Sequence, residues 1–136
     1  MRTCAVTNSR LTLVRPLGFS TASRHLKRAG LDYWEHLEVE VLDDWSSVEA
    51  RVIAPTGRPP WLFTKTAERS YTSVAYQHGD VLVFGNESQG LPPSLLRQNS
   101  EQRLRIPIRE QVRSLNLSNA VAIVAYEAQR QGVVSP

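Results

Sequence analysis

Three polar stretches, each placed directly after a short apolar run, hold the residues best suited to chemistry. Thr64-Lys65-Thr66 follows Trp61-Leu62-Phe63, Gly85-Asn86-Glu87-Ser88-Gln89-Gly90 follows Val81-Leu82-Val83-Phe84, and residues 107–119 follow the short run around Leu104 and Ile106. Two glycines in the second stretch allow close backbone approach, and the third stretch is too long for a plain connection. Open parallel sheets bind their ligands at the carboxyl ends of their strands. Loops that present N–H and C=O groups from three neighbouring strands can hydrogen-bond an adenine edge while apolar side chains cover its ring. Other chemistries fit less well. Gly85 and Gly90 have the offsets of neither a dinucleotide fingerprint nor a P-loop. His25, His36 and His78 lack metal-ligand spacing and read as surface or structural histidines, so no metal is expected. Ser88 lacks the following glycine of a nucleophile elbow, which leaves acyl transfer without support.

The elements that must position these loops alternate between β-like and helix-like runs. Leu11-Thr12-Leu13-Val14 reads as a strand ended by Pro16 and Gly18, and Thr21 or Ser23 caps a helix through Lys27-Arg28-Ala29, closed by Gly30. Residues 37–42 alternate apolar and acidic side chains, as a half-buried edge strand does. Asp43 and Asp44 suit the start of a helix with apolar positions Trp45, Val48 and Val52. Residues 61–64 and 81–84 are continuous apolar runs, the pattern of strands buried on both faces of a parallel sheet. Pro92-Pro93 fixes a short helix through Leu95 and Leu96, and Leu104 and Ile106 form another short strand. Finally, Ser118 or Asn116 caps a helix whose apolar residues Val121, Val124, Ala125 and Ala128 recur at helical spacing until Gly132. This alternation predicts an α/β domain with a mainly parallel sheet.

At 136 residues the chain fits a single domain, residues 1–136, without internal repeats. Its composition, 41% hydrophobic and 21% charged, is that of a globular chain that needs no staple. Cys4 has no second cysteine to pair with and reads as a small buried apolar residue, so a cytoplasmic home is expected. The longest apolar run, Ala120 to Tyr126, has seven residues against the roughly 18 of a membrane span, and the N-terminus has no signal-peptide core. A net charge of +3 is compatible with a polyanionic partner but does not require one.

The resemblance to a known family rests on three quoted runs. They are Val83-Phe84-Gly85-Asn86-Glu87-Ser88-Gln89-Gly90-Leu91-Pro92, then Arg105-Ile106-Pro107-Ile108, then Arg113-Ser114-Leu115-Asn116-Leu117-Ser118-Asn119-Ala120-Val121. They resemble motifs 2 and 3 of the SPOUT methyltransferases. Within that superfamily the chain is most similar to the small enzymes that use S-adenosylmethionine to methylate the ribose 2′-hydroxyl of the tRNA wobble nucleotide, cytidine or uridine. Leu26 to Tyr33 and Tyr126-Glu127-Ala128 match as well, so the similarity runs to about Gln131. The resemblance implies a C-terminal trefoil knot, one of the few exceptions to the rule against knots, and a homodimer whose final helix lies at the interface. It places the cofactor against Phe63, Gly85, Ile106 and Ser114, with Leu115 and Asn116 close by.

The resemblance also assigns catalytic candidates. Arg2 matches the motif 1 arginine at the reaction centre. A guanidinium stays protonated, so a role in gripping the adjacent phosphate and stabilising the 2′-alkoxide is preferred to that of a general base. Tyr126 matches a tyrosine that contacts the substrate nucleotide, the alternative being a helix tyrosine packed at the dimer interface. Glu87 either orients loop or substrate groups or caps backbone N–H groups locally. Arg24, Lys27 and Arg28, near Arg15, offer a landing strip for tRNA phosphates or else form a solvated basic face.

Two departures from the pattern stand out. Family members carry a strand and a Pro-Asn…Gly-Asn loop before the arginine, whereas Met1 directly precedes Arg2 here. The expectation is an N-terminal truncation, either an internal methionine taken as the start or a shortened form. Thr64-Lys65-Thr66 also stands where relatives more often have two threonines before the lysine, which leaves Lys65 an uncertain contact. Two competing functions follow: a non-catalytic tRNA-binding or assembly protein that has lost motif 1, and an enzyme acting on ribosomal RNA ribose.

Overall fold

The computed structural model describes residues 1–18, 33 and 36–132. The helix expected over residues 21–29, and with it Arg24, Lys27 and Arg28, lies outside the described residues. The described chain runs α1 (Arg2–Val6), β1 (Leu11–Val14), β2 (Val39–Leu42), α2 (Trp45–Val48), β3 (Trp61–Phe63), β4 (Leu82–Phe84), α3 (Pro93–Gln98), β5 (Arg103–Leu104) and α4 (Leu117–Arg130). Every strand pairing is parallel, in agreement with the expected α/β class. Among the described residues, however, the strands form two ladders instead of one sheet: β1 with β2, and a second in the order β4-β3-β5.

The order of the second ladder explains why its two apolar runs differ. Central β3 is flanked on both sides, and its Leu62 and Phe63 are buried. β4, an edge strand of this ladder, is only half-buried along Leu82–Phe84, which corrects the expectation that it is covered on both faces. Side chains alternate across the pleat. Phe63 therefore joins one core cluster with Val74, Tyr76, Leu104, Val124 and Ala128, and Leu62 joins another with Leu91 and Leu95. The first cluster fixes α4 on one face of the ladder. The second carries α3 on the other, with Trp45 of α2 packed against it.

Local signals account for most boundaries. The Asp44 side chain accepts a 2.7 Å hydrogen bond from Ser47 N and caps α2, and that bond holds its carboxyl below the ordinary range. The helix expected to continue through Val52 loosens instead into a π turn, Glu49–Ile53, and a 3₁₀ turn, Ala54–Thr56. Pro55 supplies the reason, since it has no N–H to donate and its ring crowds the carbonyl four residues earlier. α4 is capped by Asn116, whose Oδ1 accepts from Ser118 N at 3.0 Å and Asn119 N at 3.3 Å. The strand expected from Leu104 to Ile106 is shorter. Arg105 turns to the neighbouring segment, donating to Arg69 O at 2.8 Å and accepting from Tyr71 N at 2.9 Å. Cys4 is buried in α1, and burial pushes its thiol up. No helix among the described residues is long and apolar enough to cross a membrane.

Candidate active site

Because β4, β3 and β5 are parallel neighbours, their carboxyl ends lie side by side, and the three polar stretches leave from one edge. Phe63 and Phe84, the last residues of β3 and β4, are paired in register. Their rings stack with centroids 4.6 Å apart and an interplanar angle of 10°. Ile106, just past β5, packs on the same cluster. Beyond β3, Thr64 N donates to Leu104 O at 2.9 Å and the Thr64 and Thr66 hydroxyls meet at 3.1 Å, while Lys65 is exposed.

The loop after β4 is folded back on itself. Gly90 N donates to Asn86 O at 3.0 Å, and Asn86 Oδ1 accepts from Gln89 N at 2.6 Å and from the Ser88 hydroxyl at 3.2 Å. Gly90 has φ +70°, a left-handed conformation that side chains disfavour. Gly85 is required for a different reason. A Cβ there would overlap the backbone of Gly90 and Leu91, reaching 2.6 Å from Gly90 Cα. Both glycines of the motif therefore serve to close this loop.

Glu87 connects that loop to the start of α4. Its Oε1 accepts from Asn116 Nδ2 at 3.3 Å and from Leu117 N at 3.2 Å. Asn116 thus uses its oxygen to cap the helix and its amide nitrogen to hold Glu87. A carboxylate at this end of α4 also faces the positive pole of the helix. The structure thereby brings together Phe63 with Ile106, and Glu87 with Asn116. Ser114 is exposed and Leu115 half-buried in the irregular run that enters α4. Tyr126 is 52% exposed on α4, and exposed Arg2 lies on α1, which packs against α4. The guanidinium carbon of Arg2 sits 5.1 Å from the ring centroid of Tyr33.

Sequence reasoning gave no part to Phe84 or Tyr33. The signal for Phe84 was present, since Phe63 and Phe84 each close an apolar run and parallel pairing sets them opposite. Tyr33 closes the Leu26 to Tyr33 match, which by itself gives it no role. Cavities of about 320 Å³, between Trp45, Ile53, Pro59 and Asn99, and about 290 Å³, between residues 66–69 and Ser100 to Arg103, are bounded by neither Gly85, Ile106 nor Ser114. The larger lies near the amino-terminal start of β3, away from the strand ends that carry the loops. Among the described residues no group of three or more His, Cys, Asp or Glu is placed to hold a metal.

A parallel α/β fold with three polar loops gathered at the carboxyl ends of its strands is of the class that binds its ligands there. The chain belongs to the SpoU rRNA Methylase family, whose profile matches residues 1–126. It is 46% identical over 132 residues to the tRNA (cytidine(34)-2'-O)-methyltransferase of Methylovorus glucosotrophus, covering 96% of this chain and 84% of that protein. A solved structure concerned with the 2-OH methylation of C/U34 on tRNA superposes with a TM-score of 0.84 at 42% identity, covering 96% of this chain and 78% of the other. The fold is shared more widely. The SpoU methyltransferase AviRb from Streptomyces viridochromogenes, solved in complex with AdoMet, has a TM-score of 0.79 at 20% identity, over 97% of this chain and 53% of that one.

Proposed function

We propose that this protein transfers the methyl group of S-adenosylmethionine to the ribose 2′-hydroxyl of nucleotide 34, cytidine or uridine, in tRNA. The observation that carries the reading is the 46% identity, across 96% of the chain, to a protein named for that reaction. The residues present fit the cofactor. Half-buried Phe84, stacked on the buried Phe63 and with Ile106 beside it, offers an apolar face for an adenine, and the main chain around Gly85, Ser114, Leu115 and Asn116 offers donors and acceptors at its edge. When bound, the cofactor supplies an electrophilic methyl group.

The protein's own part is to present the 2′ oxygen, which takes the methyl carbon as its bond to sulfur breaks, leaving S-adenosylhomocysteine and releasing the hydroxyl proton to water. Arg2 acts through its planar fork, holding the adjacent phosphate and stabilising the negative charge that develops on the 2′ oxygen. Tyr126 offers a half-exposed ring and hydroxyl to the nucleotide. Glu87 has its carboxylate engaged by Asn116 and Leu117 and sets the β4 loop against α4. Arg24, Lys27 and Arg28 hold tRNA phosphates. The chain is one domain that closes through the family's C-terminal trefoil knot and works in the cytoplasm as a homodimer. Val6, 56% exposed on α1, which packs against α4, supports an apolar face for the second copy.

The test uses anticodon stem-loop RNAs that differ only at nucleotide 34, with labelled S-adenosylmethionine. Label is expected in the ribose form and not in the 2′-deoxy form. Equal labelling of both would refute the ribose assignment, and RNA binding without any transfer would favour the non-catalytic reading.

A further inference from the structure

Arg2 is held differently from the five described arginines that carry ion pairs. Arg10, Arg15, Arg51, Arg58 and Arg130 are tied to Glu38, Asp43, Glu40, Asp80 and Glu127 respectively. A carboxylate partner neutralises a guanidinium and takes up its N–H donors. Arg2 makes no ion pair among the described residues; instead its guanidinium lies over the ring of Tyr33, 5.1 Å from the centroid and within the roughly 6 Å range of a cation–π contact. Arg69 makes the other such contact, 5.7 Å over Trp61, but there one donor is also bound to Glu101 O at 2.9 Å. No acceptor among the described residues takes an Arg2 N–H.

We infer that Tyr33 is a positioning residue for the reaction: its ring fixes the Arg2 guanidinium by its face and leaves the N–H edges, which no described residue takes up, to a phosphate and the 2′ oxygen. The inference rests on the role given to Arg2 above. The division of burial suits it, because Tyr33 is half-buried while Arg2 is exposed where an RNA can reach it. A ring face attracts the cation through its quadrupole and needs none of the five donors. The arginine is thus oriented with both its charge and its fork intact.

The test compares Tyr33→Leu, Tyr33→Phe, Arg2→Ala and the Tyr33→Leu, Arg2→Ala double variant, reading kcat and KM for tRNA and the affinity for S-adenosylhomocysteine. Tyr33→Leu is expected to lower kcat about 2- to 30-fold, the span of a cation–π contact from exposed to desolvated, with cofactor affinity unchanged. Tyr33→Phe restores the ring face and recovers most of that loss. In the Arg2→Ala background the leucine change has no further effect. Should Tyr33→Leu fail to fold, Tyr33→Met, also ringless, carries the same expectation. If Arg2→Ala itself turns over normally, the role of Arg2 is wrong and the inference falls with it. If Arg2→Ala is slow but Tyr33→Leu is not, or the leucine change costs as much without Arg2 as with it, or phenylalanine fails like leucine, the role of Tyr33 alone is overturned.

Discussion

Replacing Gly85 by alanine adds one methyl group where the structure has no space for it. The new Cβ would lie 2.6 Å from Gly90 Cα, whereas carbon atoms rest comfortably at about 3.5–4.0 Å. The obstacle is backbone on both sides and cannot swing away like a side chain, so the loop must move outward by roughly 1 Å. That movement loosens the Gly90–Asn86 bond of 3.0 Å and the Gln89–Asn86 bond of 2.6 Å that close the turn. Overpacking of this kind costs about 1–3 kcal/mol, and the partly exposed bonds account for a similar sum at about 0.5–1.5 kcal/mol each. For a domain of this size the melting temperature is expected to fall by about 3–10 °C. Calorimetry with S-adenosylhomocysteine is expected to show affinity reduced at least tenfold, on the order of 1.4 kcal/mol. Gly90→Ala is the control, since nothing lies within 4 Å of its Cβ position and only the left-handed backbone, about 1–2 kcal/mol, opposes it. An unchanged melting temperature in Gly85→Ala would refute the packing argument. A lower one with unchanged affinity would remove the loop from the cofactor site.

Three further outcomes are expected. Asn116→Ala removes the cap from α4 and is expected to cost about 0.5–2 kcal/mol by equilibrium denaturation, with reduced cofactor affinity because one of the two bonds holding Glu87 is lost with it. The Glu127 carboxyl is held down to about 2 by hydrogen bonds from Arg130 and then Gln131. Its folded-state pKa is depressed, so its stabilisation is fully present above the ordinary value of 4.5 and is lost as pH falls from there toward 2; Glu127→Gln is expected to flatten that acid limb in thermal melts across pH. Alanine at Arg24, Lys27 and Arg28 together is expected to flatten the slope of log tRNA affinity against log salt by about 0.7–0.9 per lost phosphate contact and leave S-adenosylhomocysteine binding unchanged.

The parts of the fold that the sequence made legible are those in which local chemistry and packing agree. The runs at 11–14, 61–63 and 82–84 are apolar and bounded by turn residues, and each is a strand. Asn116 and the helical spacing of Val121, Val124 and Ala128 specify α4 from its cap inward, and Val124 and Ala128 are indeed buried. α1 was not legible. Five residues, Arg2–Val6, are too few to show a period, include the β-branched Thr3 and Val6, and are held by packing against α4. The unwinding after Val48 needed Pro55 to be weighed against Val52.

The site divides the same way. Position after a buried run was enough to find the three loops, because parallel order sets their ends together. The contacts that join them were hidden, since Glu87 meets Leu117 across 30 residues and Arg2 lies 31 positions before Tyr33. The motif glycines were legible as points of close backbone approach, but what approaches Gly85 is its own loop's backbone, which only the folded chain reveals.

The most direct test of the account is a structure of the protein with S-adenosylhomocysteine bound. The ligand is expected at the carboxyl ends of β3, β4 and β5, its adenine against the Phe63 and Ile106 side and its polar groups on the main chain near Gly85 and residues 114–116. A ligand bound instead in the 320 Å³ cavity between Trp45, Ile53, Pro59 and Asn99, near the start of β3, would contradict it.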